Sequence, residues 1–336
     1  MSFRVVMTAR VLSRRDVADF QQGLGVELVS IPCQTEDELI AATEDADAVI
    51  TLMQPFSRRV IEKLKHCRLI YNAGVGFETI DVAAATERGI CVAYPGDYCV
   101  EEVSDHAMAL LLACARKITR LDRAVRAGKW SAFEKREIHG KILPATFQLR
   151  GQTLGLVGLG RIGRAIVPKA KGFGMRVIAA DPYLTPDIFR GTGVESVTLE
   201  QLLESSDFVL ILAPFSPVAE HMISTEQLKK MKATAYIINV ARGAFIDEAA
   251  LHTALSEGYI AGAGLDAVAA EPEGISPEHP LLTLDNVIIT AHSAYYSEQS
   301  TVRYKQRMYE ALVSAVRGEM PEWMVNPEVR GLTGKG

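Results

Sequence analysis

The run Thr153-Leu154-Gly155-Leu156-Val157-Gly158-Leu159-Gly160-Arg161-Ile162-Gly163 has the residue types and spacing to hold a phosphate. An apolar, β-prone stretch enters a G-x-G-x-x-G turn. Helix-compatible residues follow from Arg164 to Lys171, with Pro168 expected to bend that helix. A second apolar run, Val177 to Ala180, ends at Asp181, about 18 residues past Gly163. This is the sequence form of a βαβ dinucleotide site. Gly158 permits the tight turn, Gly160 lets a pyrophosphate approach the backbone, and Gly163 lets helix and strand pack closely. The helix N-terminus offers N–H groups and partial positive charge to the phosphates. Asp181 is placed to bind both ribose hydroxyls and repels a 2′-phosphate, which favours NAD over NADP. Glycine turns alone also occur in α/β proteins without a ligand. The flanking strand, the helix and the acid at this distance argue against that here.

Three more polar residues follow apolar runs. Arg242 follows Ile237 to Ala241, Glu271 follows Gly264 to Val268 and precedes Pro272, and His292 follows Ile288 to Ala291. Taken singly, an Arg or Glu in a loop is usually a solvated surface residue, and one of seven histidines is usually structural. Taken together, all three sit at the ends of predicted strands, where an open α/β sheet binds its ligands.

The elements that position them alternate β and α. In the first hundred residues the runs Arg4–Met7, Val26–Val29, Ala48–Thr51, Leu69–Tyr71 and Ile90–Ala93 read as strands, with helix-prone stretches such as Glu36–Glu44 between them. That rhythm predicts a parallel sheet covered by helices. From Glu101 one long amphipathic helix is expected, its apolar face made by Val103, Ala107, Leu110, Cys114, Ile118 and Leu121. Between Ser131 and Gln148 the periodicity fails, which fits a surface loop or an arm exchanged between subunits. A second series has strands at Leu154–Val157, Arg176–Ala180, Phe208–Leu212, Ala235–Val240, Gly262–Asp266 and Val287–Thr290, the inventory of a doubly wound nucleotide domain. Glu298–Arg317 reads as a helix that packs back on the N-terminal part. The expectation is an α/β protein of two domains, each a parallel sheet flanked by helices. A Rossmann NAD-binding domain (101–297) is inserted in a flavodoxin-like substrate domain (1–100 plus 298–336).

Bulk properties bound the function. A chain of 336 residues, 48% hydrophobic and 23% charged with net charge −5, is ordinary for a globular protein of two domains. Basic residues form no stripe, so no nucleic-acid partner is expected. The five cysteines form no C-x-x-C pair and are odd in number, which fits reduced thiols and a cytoplasmic location. Neither a signal pattern nor a membrane span is expected. The apolar face of the helix from Glu101 and the irregular stretch after it lead to the expectation of a homodimer.

Several ordered motifs together resemble the D-isomer-specific 2-hydroxyacid dehydrogenase family over nearly the whole chain. They are Gly158–Gly163, Asn239-Val240-Ala241-Arg242-Gly243, Gly264–Val268 with Glu271-Pro272, Ala291-His292, and Asn72-Ala73-Gly74-Val75-Gly76-Phe77-Glu78-Thr79-Ile80-Asp81. The resemblance implies an oxidoreductase that moves hydride reversibly between NADH and a small 2-keto acid, with no metal. Arg242 would bind the substrate carboxylate and polarise the carbonyl. The N–H groups around Gly74, Val75 and Gly76 would take the other side of the carboxylate. His292 would be the proton donor, with Glu271 fixing its tautomer and raising its pKa. Gly158, Gly160, Arg161, Ile162, Gly163, Asp181, Ala213, Pro214, Val240, Ala241, Arg242, Asp266 and His292 would line the NAD site, Asp266 at the nicotinamide carboxamide.

Within the family, His292-Ser293-Ala294-Tyr295-Tyr296-Ser297-Glu298-Gln299 is similar to the branch containing the C-terminal-binding-protein corepressors. Tyr295, expected at the substrate, replaces that branch's tryptophan, and Asn72 replaces an arginine that contacts substrate. A glyoxylate- or hydroxypyruvate-type acid is the expected substrate, with pocket shape depending on Met53, Phe77 and Tyr295. Alternatives are an NAD(H)-sensing binding protein of the corepressor type and a phosphite or phosphoglycerate dehydrogenase. Formate enzymes carry glutamine where Glu271 stands. With the sequence ending at Gly336, no extra regulatory domain is expected.

Overall fold

The apolar runs of the first hundred residues become five parallel strands. A computed structural model of the chain describes residues 2–130, 138–143, 145–215, 217–271 and 274–329. It comprises two compact units, one of Met1–Tyr98 with Ser297–Gly336, the other of Cys99–Tyr296. In the first unit β1 (Arg4–Met7), β2 (Glu27–Ser30), β3 (Ala48–Thr51), β4 (Leu69–Asn72) and β5 (Cys91–Ala93) lie in the order β2-β1-β3-β4-β5. Every residue of β3 and β4 is buried, as a sheet covered on both faces requires. The covering helices are α1 (Arg14–Leu24), α2 (Glu36–Thr43), α3 (Arg58–Lys63) and α4 (Val82–Glu87). Helix α1 is started by a capping box, in which the Ser13 hydroxyl accepts from the Asp16 N–H and the Asp16 carboxylate accepts from the Ser13 N–H.

The second unit opens with α5 (Val100–Ala115) and α6 (Ile118–Arg126). Seven parallel strands follow: β6 (Thr153–Val157), β7 (Arg176–Ala180), β8 (Glu195–Ser196), β9 (Phe208–Ile211), β10 (Tyr236–Asn239), β11 (Gly262–Leu265) and β12 (Val287–Ile289). Their order is β12-β11-β10-β9-β6-β7-β8. The strand order reverses between β6 and β9, so the loops after those two strands flank a ligand crevice. Helices α7 (Arg161–Gly172), α8 (Pro186–Thr192), α9 (Leu199–Ser205), α10 (Thr225–Lys230) and α11 (Glu248–Ser256) connect them. Two apolar cores result, one built around Val209, Ile237 and Leu251, the other around Leu110, Ile166 and Leu210. Gly155 and Gly264 make room for helices, since a Cβ would meet Leu202 at the first and Leu110 at the second. The chain then returns to the first unit with α12 (Glu298–Arg317), which packs on α1 and β4 through Met308 and Leu312.

Several expectations need correction. The single helix from Glu101 is two. Lys117, at φ 53°, turns the chain between α5 and α6, so Ile118 leaves the apolar face and is 54% exposed. The apolar face of α5 packs within its own unit on α7, β10 and β11. The second sheet has a seventh strand, Glu195–Ser196, too short and too exposed to give an apolar signal. Pro168 lies inside α7, as expected. In the stretch from Ser131 to Gln148, residues 131–137 and 144 lie outside the described residues, as do Pro272 and the tail from 330. Ile138–Ile142 forms one π-helical turn. Among the described residues, no helix is long and apolar enough to cross a membrane.

Candidate active site

In the second unit, backbone and side-chain contacts gather the loops after β10, β11 and β12. Asn239, buried at the end of β10, shapes the first loop: its amide accepts from the Ala241 N–H (3.0 Å) and donates to the Arg242 carbonyl (2.8 Å). Gly243 brings that loop against the next. A Cβ there would fall 2.0 Å from the Val268 carbonyl carbon, so only glycine permits the two backbones to cross. Beyond Val268, Glu271 turns back, its Oε1 accepting from the Val268 N–H at 3.3 Å. Its Oε2 lies 2.6 Å from Nδ1 of His292, just past β12.

The electrostatics follow from this geometry. The hydrogen bond from His292 to the Glu271 carboxylate raises the His292 pKa above the ordinary imidazole value. Partial burial and the nearby Arg242 guanidinium oppose the rise without cancelling it. The His292 side chain stays 44% exposed and that of Glu271 27% exposed, so the pair is reachable by a ligand. His292 also sits at φ 48°, in the left-handed region that costs a residue with a Cβ about 1–3 kcal/mol. Its N–H donates to the Asp266 carbonyl (2.9 Å), which holds it there. Arg242 is anchored by a hydrogen bond from Nη1 to the Ala241 carbonyl at 2.9 Å.

The glycine motif lies at the switch point of the same sheet. Gly158 has φ 99°, and a Cβ on it would come within 3.0 Å of the Ala213 nitrogen, so the loops after β6 and β9 touch there. Pro214 follows Ala213 in that loop. A Cβ on Gly163 would meet the Gly158 carbonyl oxygen at 2.8 Å, which fixes how closely α7 approaches the turn. At Gly160, the N-cap of α7, a Cβ would meet nothing within 4 Å, and no side chain caps the helix. An uncapped helix N-terminus facing open space behind two obligatory glycines fits a dinucleotide pyrophosphate. Asp181 accepts from the Leu159 N–H (2.9 Å) and the Tyr183 N–H (3.1 Å), so it also braces the turn. Arg161 begins α7. Ile162 and Val240 pack half-buried on one core and Ala241 on the other.

Asp266 is tied into the backbone of its own unit. Its side chain is 3% exposed, and both oxygens are taken up internally by Thr290, Ser293 and Ala294. Burial pushes its carboxyl up, but these bonds and His106 outweigh it and hold the pKa well below the usual range. These bonds brace the loop that carries His292. The partners His106 and Thr290 escaped the sequence reading, because His106 lies inside an apolar helix and no local motif marks it.

In the first unit, Gly74, Val75 and Gly76 follow β4. Asn72 is buried and donates to the carbonyls of Gly74 and Gly76, 2.7 Å each, so it shapes this loop. Val75, Phe77 and Met53 are exposed, as is Tyr295 in the second unit.

The family model described as "D-isomer specific 2-hydroxyacid dehydrogenase, NAD binding domain" matches residues 108–294. The chain belongs to that family. It is an NAD-dependent D-2-hydroxyacid dehydrogenase, an oxidoreductase acting on CH–OH donors. It is 42% identical to a glyoxylate reductase of Korarchaeum cryptofilum, covering 87% of this chain and 86% of that one. It is 39% identical to a D-3-phosphoglycerate dehydrogenase of Methanocaldococcus jannaschii, over 87% of this chain but 54% of that longer protein. Among solved structures it is similar to a D-lactate dehydrogenase of Aquifex aeolicus complexed with NAD and lactic acid, with TM-score 0.82 and 27% identity over 96% of this chain and 98% of that one.

Proposed function

We propose that this dehydrogenase reduces glyoxylate or a comparably small 2-keto acid to the 2-hydroxy acid. The observation that carries the reading is the contact of Glu271 with Nδ1 of His292, beside Arg242. NADH, when bound, supplies hydride to the carbonyl carbon. With Nδ1 engaged by Glu271, Nε2 of His292 delivers the proton to the carbonyl oxygen, and takes it back in the reverse direction. Arg242 holds the substrate carboxylate with its donor fork and draws electron density from the carbonyl. The loop of Gly74, Val75 and Gly76 serves as an anion-binding element for the same substrate class. Gly158, Gly160 and Gly163 with the start of α7 take the pyrophosphate, and Asp181 takes the ribose hydroxyls. The likeness to a glyoxylate reductase supports a small acid. The likeness to a phosphoglycerate dehydrogenase makes the phosphorylated keto acid the competitor to test.

NADH oxidation measured against glyoxylate, hydroxypyruvate, pyruvate, phenylpyruvate and 3-phosphohydroxypyruvate tests this reading. The highest kcat/KM is expected with one of the first two. Preference for the phosphorylated acid or for phenylpyruvate would overturn it. The same proposal includes a homodimer formed around α6, because Ile118 and Trp130 are 54% and 79% exposed. It includes a reducing, cytoplasmic setting, since all five cysteines are buried thiols, and no nucleic-acid or membrane partner.

A further inference from the structure

His106 lies on α5, which packs on β10, β11 and β12 at the back of the loops just described. Its Nε2 is 2.9 Å from the Thr290 hydroxyl and 3.4 Å from Oδ1 of Asp266. The Thr290 hydroxyl is 2.6 Å from the same Oδ1. A hydroxyl has one proton and an ionised carboxylate has none. The Thr290 proton therefore goes to Asp266, and His106 must be the donor to Thr290, with its proton on Nε2. A directed chain results, from His106 to Thr290 to Asp266.

That chain ends on the backbone around His292. Oδ1 of Asp266 also accepts from the Ser293 N–H (3.0 Å), and Oδ2 accepts from the Ala294 N–H (2.9 Å). The Asp266 carbonyl accepts from His292 itself. A residue with a Cβ stays in the left-handed region only where its surroundings over-determine it. The residue held in this way is the one whose ring must meet both Glu271 and the substrate.

We propose that His106 is a positioning residue for the reaction, acting through Thr290 and Asp266 to hold the turn that aims His292. The proposal rests on His292 being the proton donor. It assigns His106 no contact with substrate or cofactor.

The test compares His106→Leu, His106→Gln and His292→Ala with the native enzyme, using glyoxylate or the best substrate of the keto-acid panel. Leu removes the donor at similar size, whereas Gln carries an N–H group at about the reach of Nε2. Misplacement by about 1 Å can cost about 10²-fold, so His106→Leu should lower kcat by about 10- to 100-fold. The Kd for NADH should stay within about twofold, and His106→Gln should recover most of the loss. If His106→Leu turns over within about twofold of the native enzyme, the proposal is wrong. It is equally wrong if His106→Gln recovers nothing while NADH affinity falls in step with kcat, since that is a packing defect. If His106→Leu fails to fold, Thr290→Val cuts the same chain while keeping shape, and its kcat and Kd decide in the same way. His292→Ala separates the two claims. Near-native activity there refutes His292 as donor, whereas inactivity there beside an unaffected His106→Leu refutes only the role of His106.

Discussion

Oε2 of Glu271 stands 2.6 Å from Nδ1 of His292, so a carboxylate fixes the tautomer of an imidazole held in a left-handed backbone conformation. Hydrogen bonds with an ionised partner are about twice as strong as neutral ones. The pair therefore sets both the direction and the acidity of the ring. What surrounds it can be tested residue by residue.

Arg242→Lys keeps the positive charge and loses the planar fork. The KM for the keto acid should rise about tenfold or more and kcat should also fall, because the proposed function uses the fork for both binding and carbonyl polarisation. Steady-state kinetics check this; an unchanged KM would remove Arg242 from the substrate.

Two glycines of one motif should fail differently. Gly158→Ala forces a Cβ onto φ 99° and against the Ala213 backbone, at a cost of about 1–3 kcal/mol that a lowered Tm reads. Gly160→Ala adds a methyl where the protein has nothing within 4 Å. Its Tm should stay near native while the Kd for NADH rises. Equal loss of Tm in both would mean that the space at Gly160 is not reserved for a ligand.

This contrast also explains what sequence could tell. Gly158 and Gly163 are readable because a G-x-G-x-x-G turn puts backbone demands on fixed positions a few residues apart, and Asp181 because it ends the next apolar run. Arg242, Glu271 and His292 are readable as residues past apolar strands, and motif order ties them to one family. The break at Lys117 is not readable, since the apolar spacing of α5 and α6 continues in register across it. Strand Glu195–Ser196 carries no apolar pattern, and its pairing with β7 alone defines it. His106, Thr290 and Asp266 meet only when α5 packs across β11 and β12, so their relation exists in the fold and in no local spacing. Asn72 stands where a branch of the family has an arginine that contacts substrate; here it is buried and donates to the carbonyls of Gly74 and Gly76.

Asp181→Ser removes the charge proposed to repel a 2′-phosphate. The ratio of kcat/KM with NADPH to that with NADH should rise about tenfold, which is ~1.4 kcal/mol. A parallel Tm checks the turn, because Asp181 also accepts from Leu159. Native enzyme that uses NADPH as well as NADH would contradict the assignment.

Trp130→Asp and Ile118→Asp place charge at two exposed apolar residues, one opening α6 and one past its end. Sedimentation of the native protein at micromolar concentration should give a dimer, and the double variant a larger fraction of monomer. A native monomer would refute the dimer outright.

The most direct test of the central claim is the pH profile of kcat/KM for keto-acid reduction in native, Glu271→Gln and His292→Ala enzymes. In the proposed function imidazolium is the acid, so reduction should be fast below the His292 pKa and be lost as pH rises through it. Glu271 raises that pKa, so Glu271→Gln should move the descending limb to lower pH. His292→Ala should lose about 10²–10⁴-fold and show no such limb. A limb that stays in place in Glu271→Gln, together with near-native activity in His292→Ala, would mean that the proton comes from another group.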